Sequence, residues 1–239
     1  MEKEQPPAYS EAGGSMAQGT ICVVPARFNG YLSWANPKKF YLGAEKDNTR
    51  FLVRCPDSVR KSNVVIYAGP DTKDGVLTEY KMDRLGRRKP FTVHSPQYGD
   101  VDVKIDESGT VVKHKSLFFT MNSGERFEWR HTRGNEVKEL HGKFSYGYKL
   151  VRLSTRNSAI GGDRNERENG YTSNGEEVVA LIGFNVTRLN SHIFTFLFVH
   201  SGLTGAFGPL WEVTALTSAF NLVYYEVIKT SAAVSAAVA

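Results

Sequence analysis

Short apolar runs that alternate with polar residues recur along most of the chain. Phe127 and Trp129, for example, alternate with Arg126, Glu128 and Arg130, which is the period-two pattern of a half-buried strand. Turn-forming Gly, Asn, Asp and Pro residues separate the runs. The pattern predicts strands over residues 40–43, 50–55, 64–68, 76–82, 91–94, 101–105, 110–119, 126–131, 136–141, 148–153, 178–186 and 193–199. Because strands and helices do not alternate, we predict an antiparallel sandwich or barrel rather than a doubly wound α/β fold.

The last long apolar segment has a different pattern. Pro209 suits a first helical position, and no turn former interrupts the sequence from there to about Ile228. Plotted as a helix, its apolar side chains cover well over half of the circumference, which is typical of a helix inside a protein or a membrane. Glu212 and Glu226, one near each end, disfavour a membrane span. We therefore expect a central helix over 209–228 that fills a barrel.

Three segments differ in composition from the predicted barrel domain, residues 20–230. Residues 1–19 are rich in Pro, Glu, Gly and Ser and contain few hydrophobic residues, which predicts a disordered tail. The polar stretch 156–177 predicts a mobile insertion, and 231–239 form an Ala-rich tail. The whole chain has 30 Lys and Arg against 25 Asp and Glu, a formal charge of +5, which favours anionic partners with weak electrostatic steering.

The N-terminus and the cysteines indicate the compartment. The first residues are charged and contain no apolar run, which predicts that no secretory signal is present. Cys22 and Cys55 are too few for a disulfide-dependent scaffold, and we interpret both as reduced. We expect a cytoplasmic protein that is able to lie at the periphery of membranes.

The candidate chemistry is sparse. We find no zinc-binding His or Cys spacing, phosphate-binding loop, dinucleotide fingerprint or nucleophile elbow in the sequence. His114, His131 and His141 are on neighbouring predicted strands, but scattered strand histidines are more often structural. Glu212 is either a structural group favoured by the helix dipole or a buried acid at a barrel mouth. We predict no catalytic residue, no metal and no cofactor.

One motif points to a protein partner. Pro6-Pro7-Ala8-Tyr9 fits P-P-x-Y, the ligand of WW domains. A polyproline II turn places the two prolines on an aromatic groove and the tyrosine in a neighbouring pocket. The alternative is a chance match in a Pro-rich tail. We predict that Pro6, Pro7 and Tyr9 bind a WW-domain protein.

A basic cluster points to an anionic ligand. Arg84, Arg87, Arg88 and Lys89 lie in one turn between two predicted strands, with Lys81 nearby. Together they supply enough donors for the headgroup of an anionic phospholipid. The alternative is a solvated hairpin tip. Nucleic acid is not an expected partner, because the alternation along the 126–131 strand puts its aromatic residues on the face opposite its arginines.

Several motifs resemble one known superfamily. The stretch Ile193-Phe-Thr-Phe-Leu-Phe-Val-His-Ser-Gly-Leu-Thr-Gly-Ala-Phe-Gly-Pro-Leu-Trp-Glu, followed by the apolar helix, resembles the end of tubby C-terminal-like domains. That superfamily includes tubby, phospholipid scramblase and LURP-one proteins, and the likeness is closest to uncharacterised fungal members. Further fitting pieces, over about 39–229, are Tyr67-Ala-Gly-Pro, Phe127-Glu-Trp-Arg, Gly147-Tyr-Lys-Leu and Glu177-Val-Val-Ala-Leu-Ile-Gly-Phe. The resemblance implies a twelve-stranded barrel around a central helix. Phosphoinositide binding by tubby domains favours the headgroup hypothesis, although Arg84, Arg87, Arg88 and Lys89 do not align with the tubby ligand residues and no ligand residue is carried over.

The predicted fold class is all-β with one long helix, a roughly twelve-stranded antiparallel barrel enclosing the hydrophobic C-terminal helix. The function we expect is non-catalytic: binding of a membrane surface, through phosphoinositide headgroups, or of a protein partner. Two alternatives stay open. One is a small-ligand barrel or hydrolase with its site at the barrel mouth, and the other is scramblase-like lipid handling, which requires the helix to enter a bilayer.

Overall fold

Thirteen strands in the described part of the chain form one sheet in which all neighbours are antiparallel. The computed structural model describes residues 24–33, 35–36, 38–56, 63–82, 88–95, 99–108, 116–155, 157–163, 168–185 and 191–238. The strands are β1 (Arg27–Leu32), β2 (Lys39–Glu45), β3 (Asn48–Arg54), β4 (Asn63–Tyr67), β5 (Val76–Met82), β6 (Arg88–Ser95), β7 (Gly99–Val103), β8 (Ile105–Ser108), β9 (Ser116–Thr120), β10 (Arg126–Thr132), β11 (Gly147–Arg152), β12 (Glu177–Phe184) and β13 (His192–Phe198). Their order in the sheet is β7-β6-β5-β4-β3-β2-β1-β13-β12-β11-β10-β9-β8.

The sheet curls into a nearly closed barrel. Its two edge strands, β7 and β8, are consecutive in the chain and are separated only by Lys104. Val103 and Ile105, on either side of Lys104, are both buried. The predicted fold class is confirmed, and the predicted strand 101–105 covers parts of two strands that pair with different neighbours.

Helix α2 (Gly208–Val238) fills the barrel. Residues 211–223 are all buried, so the helix is covered in every direction around its axis. At about 1.5 Å per residue this segment spans about 20 Å, the length of a six-residue strand. The Phe40 ring of β2 meets Phe220 edge-on at 5.1 Å between centroids, and the indole of Trp129 in β10 donates to Ser218. The predicted central helix is confirmed by these contacts with both halves of the barrel.

Three hydroxyl side chains of the buried helix segment are satisfied by the helix itself. The hydroxyls of Thr214, Thr217 and Ser218 each donate to a carbonyl one turn earlier, at 2.7 Å. A hydroxyl paired in this way is tolerated inside an apolar core. The helix also continues ten residues past the predicted end at 228, because the Ala-rich segment has high helix propensity and contains no breaker.

The prediction of a strand over 136–141 is wrong, because this segment belongs to helix α1 (Asn135–His141). Val137 and Leu140 are three residues apart, which puts both on one face of a helix. That face packs outside the barrel where Gly147 and Gly183 are register partners. A Cβ at Gly183 would lie 2.9 Å from Leu140 Cδ1, so the glycine makes room for the helix.

Strand β1 was not predicted, because Asn29-Gly30 has the composition of a turn. Gly30 pairs with Phe194 across the strands β1 and β13. A Cβ at Gly30 would lie 1.9 Å from the Phe194 ring. The glycine is therefore required by packing rather than by a turn.

Candidate functional site

The two ends of the barrel receive different connections. Because every neighbouring pair is antiparallel, the chain leaves the sheet at one end after β1, β3, β5, β8, β10 and β12. It leaves at the other end after β2, β4, β6, β9, β11 and β13. Helix α2 follows β13, so it enters from the second end and runs towards the first.

The first end has an excess of positive residues, and we call it the basic end. Its connections are 33–38, 55–62, 83–87, 109–115, 133–146 and 185–191. The described basic residues of these connections are Lys38, Arg133, Lys138 and Lys143. Their described acidic residues are Glu136 and Glu139.

The other end, which we call the opposite end, has an excess of negative residues. The described basic residues of its connections are Lys46 and Lys73. The described acidic residues are Asp47, Asp71, Asp74, Glu125, Asp163, Glu168 and Glu176. The barrel therefore has a charge difference along its axis that its overall charge of +5 conceals.

The ends of β5 and β6 that flank the predicted headgroup residues are at the basic end. Met82 of β5 pairs with Arg88 of β6, which leaves residues 83–87 as the connection between these strands. Lys81 is the register partner of Asn63, and Lys89 is in β6. Arg84 and Arg87 lie outside the described residues, as do the side chains of Lys81, Arg88 and Lys89.

The predicted WW ligand, Pro6, Pro7 and Tyr9, also lies outside the described residues. The chain that follows it reaches the barrel at the opposite end, where β1 begins. There the backbone N–H of Val24 donates to Glu212 Oε2 at 3.2 Å. Glu212, which is 2% exposed, is thus engaged structurally near the start of the central helix.

A tight turn after α1 presents an aromatic side chain at the basic end. The backbone N–H of Ser145 donates to the carbonyl of Gly142 at 3.0 Å, and Gly142 has φ +89°. Lys143 and Phe144 are both exposed, and Phe144 retains 83% of its surface. The sequence did not identify Phe144, because its exposure follows from the unpredicted helix α1.

Two histidine rings are in contact next to this turn. The rings of His141 and His192 are 5.1 Å apart between centroids, and His192 Nε2 donates to the Phe194 carbonyl at 2.9 Å. Burial lowers the pKa of His141 from 6.5 to about 4, with His192 and Arg27 adding to the effect while the Gly183 carbonyl opposes it. Burial also lowers the pKa of His192. The pair is therefore uncharged at neutral pH.

No metal centre is found in the part of the chain that the structure describes. Within those residues no group of three or more His, Cys, Asp or Glu side chains is arranged to hold a metal ion. His131 packs on Tyr146 and Tyr148 rather than on His141, and His114 lies outside the described residues. The two described histidines of this set, His131 and His141, therefore do not converge.

Charged residues near the opposite end form ion pairs. Arg152 binds the Glu125 carboxylate, and this hydrogen bond lowers the pKa of Glu125. The guanidinium of Arg152 also lies 5.1 Å from the centroid of the Phe207 ring, and that ring packs on Trp211.

A second group of ion pairs lies on the outer face of β10, where Arg130 pairs with Glu128 and Glu176. The Trp129 ring of the same strand points inwards, as the alternation predicts. The segment 156–177, predicted as an insertion, supplies Glu176 to this network.

The interior of the barrel contains polar groups that are paired with one another. Tyr148 donates its hydroxyl hydrogen to Glu226 Oε1 at 3.1 Å, and burial raises the pKa of this tyrosine. Trp129 and Ser218 form the second such pair, at 2.9 Å. Both pairs join a strand to α2, so these interior polar groups hold the helix in place.

The described part of the chain contains no helix with the length and hydropathy of a membrane span. Comparisons with protein-family models, curated proteins and solved structures find no match for this chain. Membership of the tubby-like superfamily therefore stays a proposal that rests on the sequence motifs.

Proposed function

We propose that the protein is a non-catalytic, tubby-like binding module whose basic end docks on an anionic membrane surface and whose N-terminal segment carries a WW-domain ligand. The charge difference between the two ends carries the proposal. Among the described residues, the connections of the basic end contain four basic and two acidic side chains, against two basic and seven acidic at the opposite end. A Lys or Arg near an anionic bilayer contributes about 1 kcal/mol, so three or four that reach it are sufficient for binding.

The filled interior favours binding over catalysis. Residues 211–223 occupy the space in which a small-ligand barrel would hold its substrate. Glu212, the candidate acid at the barrel mouth, accepts a hydrogen bond from Val24. Scramblase-like handling would require this helix in lipid, whereas it packs against Phe40 and Trp129. These contacts support a module that works through its outer surface.

The described chain begins at the opposite end of the barrel, whereas the strand ends that flank the proposed headgroup residues are at the basic end. The chain before Val24 joins the barrel at the opposite end, away from the hairpin of β5 and β6. A protein docked by its basic end would therefore leave its N-terminal segment facing the cytoplasm. We expect simultaneous binding of a membrane and a WW domain.

Vesicle flotation tests the membrane proposal. We expect the wild-type protein to float with phosphatidylcholine vesicles that contain phosphatidylserine and phosphoinositide, and not with pure phosphatidylcholine. Arg87→Glu with Arg88→Glu should reduce binding at least tenfold, because four units of charge change at the docking end. The matched control is Lys46→Glu with Lys73→Glu, two exposed lysines of the opposite end, which should bind normally. Equal loss in both double variants, or wild-type binding that ignores lipid charge, would overturn the proposal.

A pull-down with an isolated WW domain tests the second part. Tyr9→Ala removes the aromatic group that fills the second pocket, and we expect capture to be lost. Ala8→Ser changes only the variable position of the motif and should leave capture intact. Undiminished capture of Tyr9→Ala would remove the WW proposal without affecting the membrane proposal.

A further inference from the structure

We infer that the turn formed by residues 142–145 inserts into the membrane: the Phe144 ring enters the interfacial layer of an anionic bilayer while Lys143 contacts lipid phosphates. This inference rests on the proposed function of the basic end. It adds an apolar anchor to a contact that would otherwise be purely electrostatic.

The turn displays Phe144 on a firm support. The bond from Ser145 N–H to the Gly142 carbonyl closes the turn, and Ser145 itself is buried. Before the turn, Val137 of α1 is fully buried against the barrel. After it, the Tyr146 ring stacks on Phe184 at 5.0 Å between centroids. A loop fixed on both sides loses little conformational freedom when its tip enters a bilayer.

The Phe144 ring is largely uncovered by the described part of the chain. Phe144 is 83% exposed, so its ring contributes little to the barrel core. The other large hydrophobic residues described as exposed are Val76, at 38%, and Leu203, at 53%. Transfer of a phenylalanine side chain out of water is favourable. The ring is therefore available to a partner without loss of internal packing.

The charges around the turn favour lipid as the partner. Arg133, Lys138 and Lys143 share this connection with Glu136 and Glu139. Glu136 is occupied, because it accepts from Thr132 at 2.9 Å and lies 3.8 Å from Lys149 Nζ. A single aromatic ring beside a lysine, at the basic end of the molecule, matches the headgroup layer, where aromatic rings and basic side chains are favoured.

Leu203 provides a matched control. It is an exposed apolar residue too, but it lies between β13 and α2, at the opposite end. Its connection, 199–207, contains no Lys, Arg, Asp or Glu. A non-specific effect of removing exposed apolar surface would appear equally at Leu203 and Phe144.

The experiment compares Phe144→Ala and Leu203→Ala by flotation with phosphatidylcholine–phosphatidylserine vesicles. We expect Phe144→Ala to weaken binding about tenfold, as partial burial of the ring predicts, and Leu203→Ala to bind like wild type. Thermal unfolding of both variants checks that they fold. Phe144→Trp should restore binding, and brominated lipids should quench its added fluorescence but not that of Leu203→Trp.

The outcomes separate the two proposals. Wild-type binding to anionic vesicles together with full binding of Phe144→Ala, or unquenched Phe144→Trp, would overturn the insertion and leave the proposed function intact. Equal losses at Phe144 and Leu203 would also overturn it. Absence of wild-type binding would overturn both. Capture of a protein through Phe144 without vesicle binding would assign the turn to a protein interface and contradict the insertion.

Discussion

The indole Nε1 of Trp129 donates to Ser218 Oγ at 2.9 Å, and this buried bond joins strand β10 to the middle of the central helix. An indole N–H left without a partner inside a core costs about 1–3 kcal/mol. We therefore predict that Ser218→Ala lowers the free energy of unfolding by about that amount, as measured by urea denaturation.

A double-mutant cycle separates this bond from the loss of packing. Trp129→Phe removes the donor, so adding Ser218→Ala to it should cost much less than Ser218→Ala alone. If the double variant loses as much free energy of unfolding as the two single variants together, the bond contributes nothing to stability.

The close contact between Gly30 and Phe194 predicts a strong effect of a small substitution. A methyl group at position 30 would lie 1.9 Å from the Phe194 ring, which is almost fully buried. We expect Gly30→Ala to destabilise the protein by about 1–3 kcal/mol through overpacking. Phe194→Leu in the same chain should recover part of the loss. If Gly30→Ala keeps the wild-type urea midpoint, the register of β1 and β13 is wrong.

The buried histidine pair predicts how stability depends on pH. The pKa of His141 falls from 6.5 to about 4 on folding, so between these values the unfolded chain binds a proton that the folded protein does not. Stability should therefore rise as the pH increases from about 4 to about 6.5, and fall as the pH decreases through that window.

Urea midpoints measured across this pH range test the assignment. His141→Gln should flatten the dependence, because it removes the titrating imidazole. Lys143→Gln, an exposed change on the adjacent turn, removes a charge and keeps the imidazole, so the slope should persist. A slope unchanged in His141→Gln would place its origin elsewhere.

Salt should separate the two components of membrane binding. Raising the salt from about 0.1 M to about 1 M shortens the Debye length from about 10 Å to about 3 Å, which screens the basic end. We expect vesicle binding of the wild-type protein to fall steeply over this range. The ratio of wild-type to Phe144→Ala affinity should change little, because apolar insertion is not screened. If high salt reduces the ratio of wild-type to Phe144→Ala affinity to one, the contribution of Phe144 is electrostatic and not apolar insertion.

The strand pattern could be predicted where it depends on local alternation. Val76–Met82 matches the predicted bounds, because its turn residues and apolar period lie within the segment. Strand β1 could not be predicted, since Gly30 is explained only by Phe194, far along the chain. Helix α1 was mistaken for a strand because so short a segment gives an ambiguous period.

The candidate site was predictable only in part. The basic residues of 81–89 can be identified in the sequence. That the ends of β5 and β6 lie at the same end of the barrel as Lys138 and Lys143 depends on how the strands pair. The junction between β1 and β13 determines which connections share an end. The exposure of Phe144 depends in turn on the packing of α1. Long-range topology, rather than composition, therefore defines the basic end.

The central claim is that helix α2 lies inside the barrel with every face covered, including the polar one. Thr214, Thr217 and Asn221 share that polar face and are buried, whereas a helix packed on the surface would expose it. The direct measurement is thiol labelling of single variants Thr214→Cys, Thr217→Cys and Asn221→Cys in a chain with Cys22→Ser, with Leu203→Cys as the exposed reference. We predict rapid labelling of Leu203→Cys and none of the three helix positions until denaturant is added. Labelling of the helix positions in the native protein at the rate of Leu203→Cys would contradict the filled barrel.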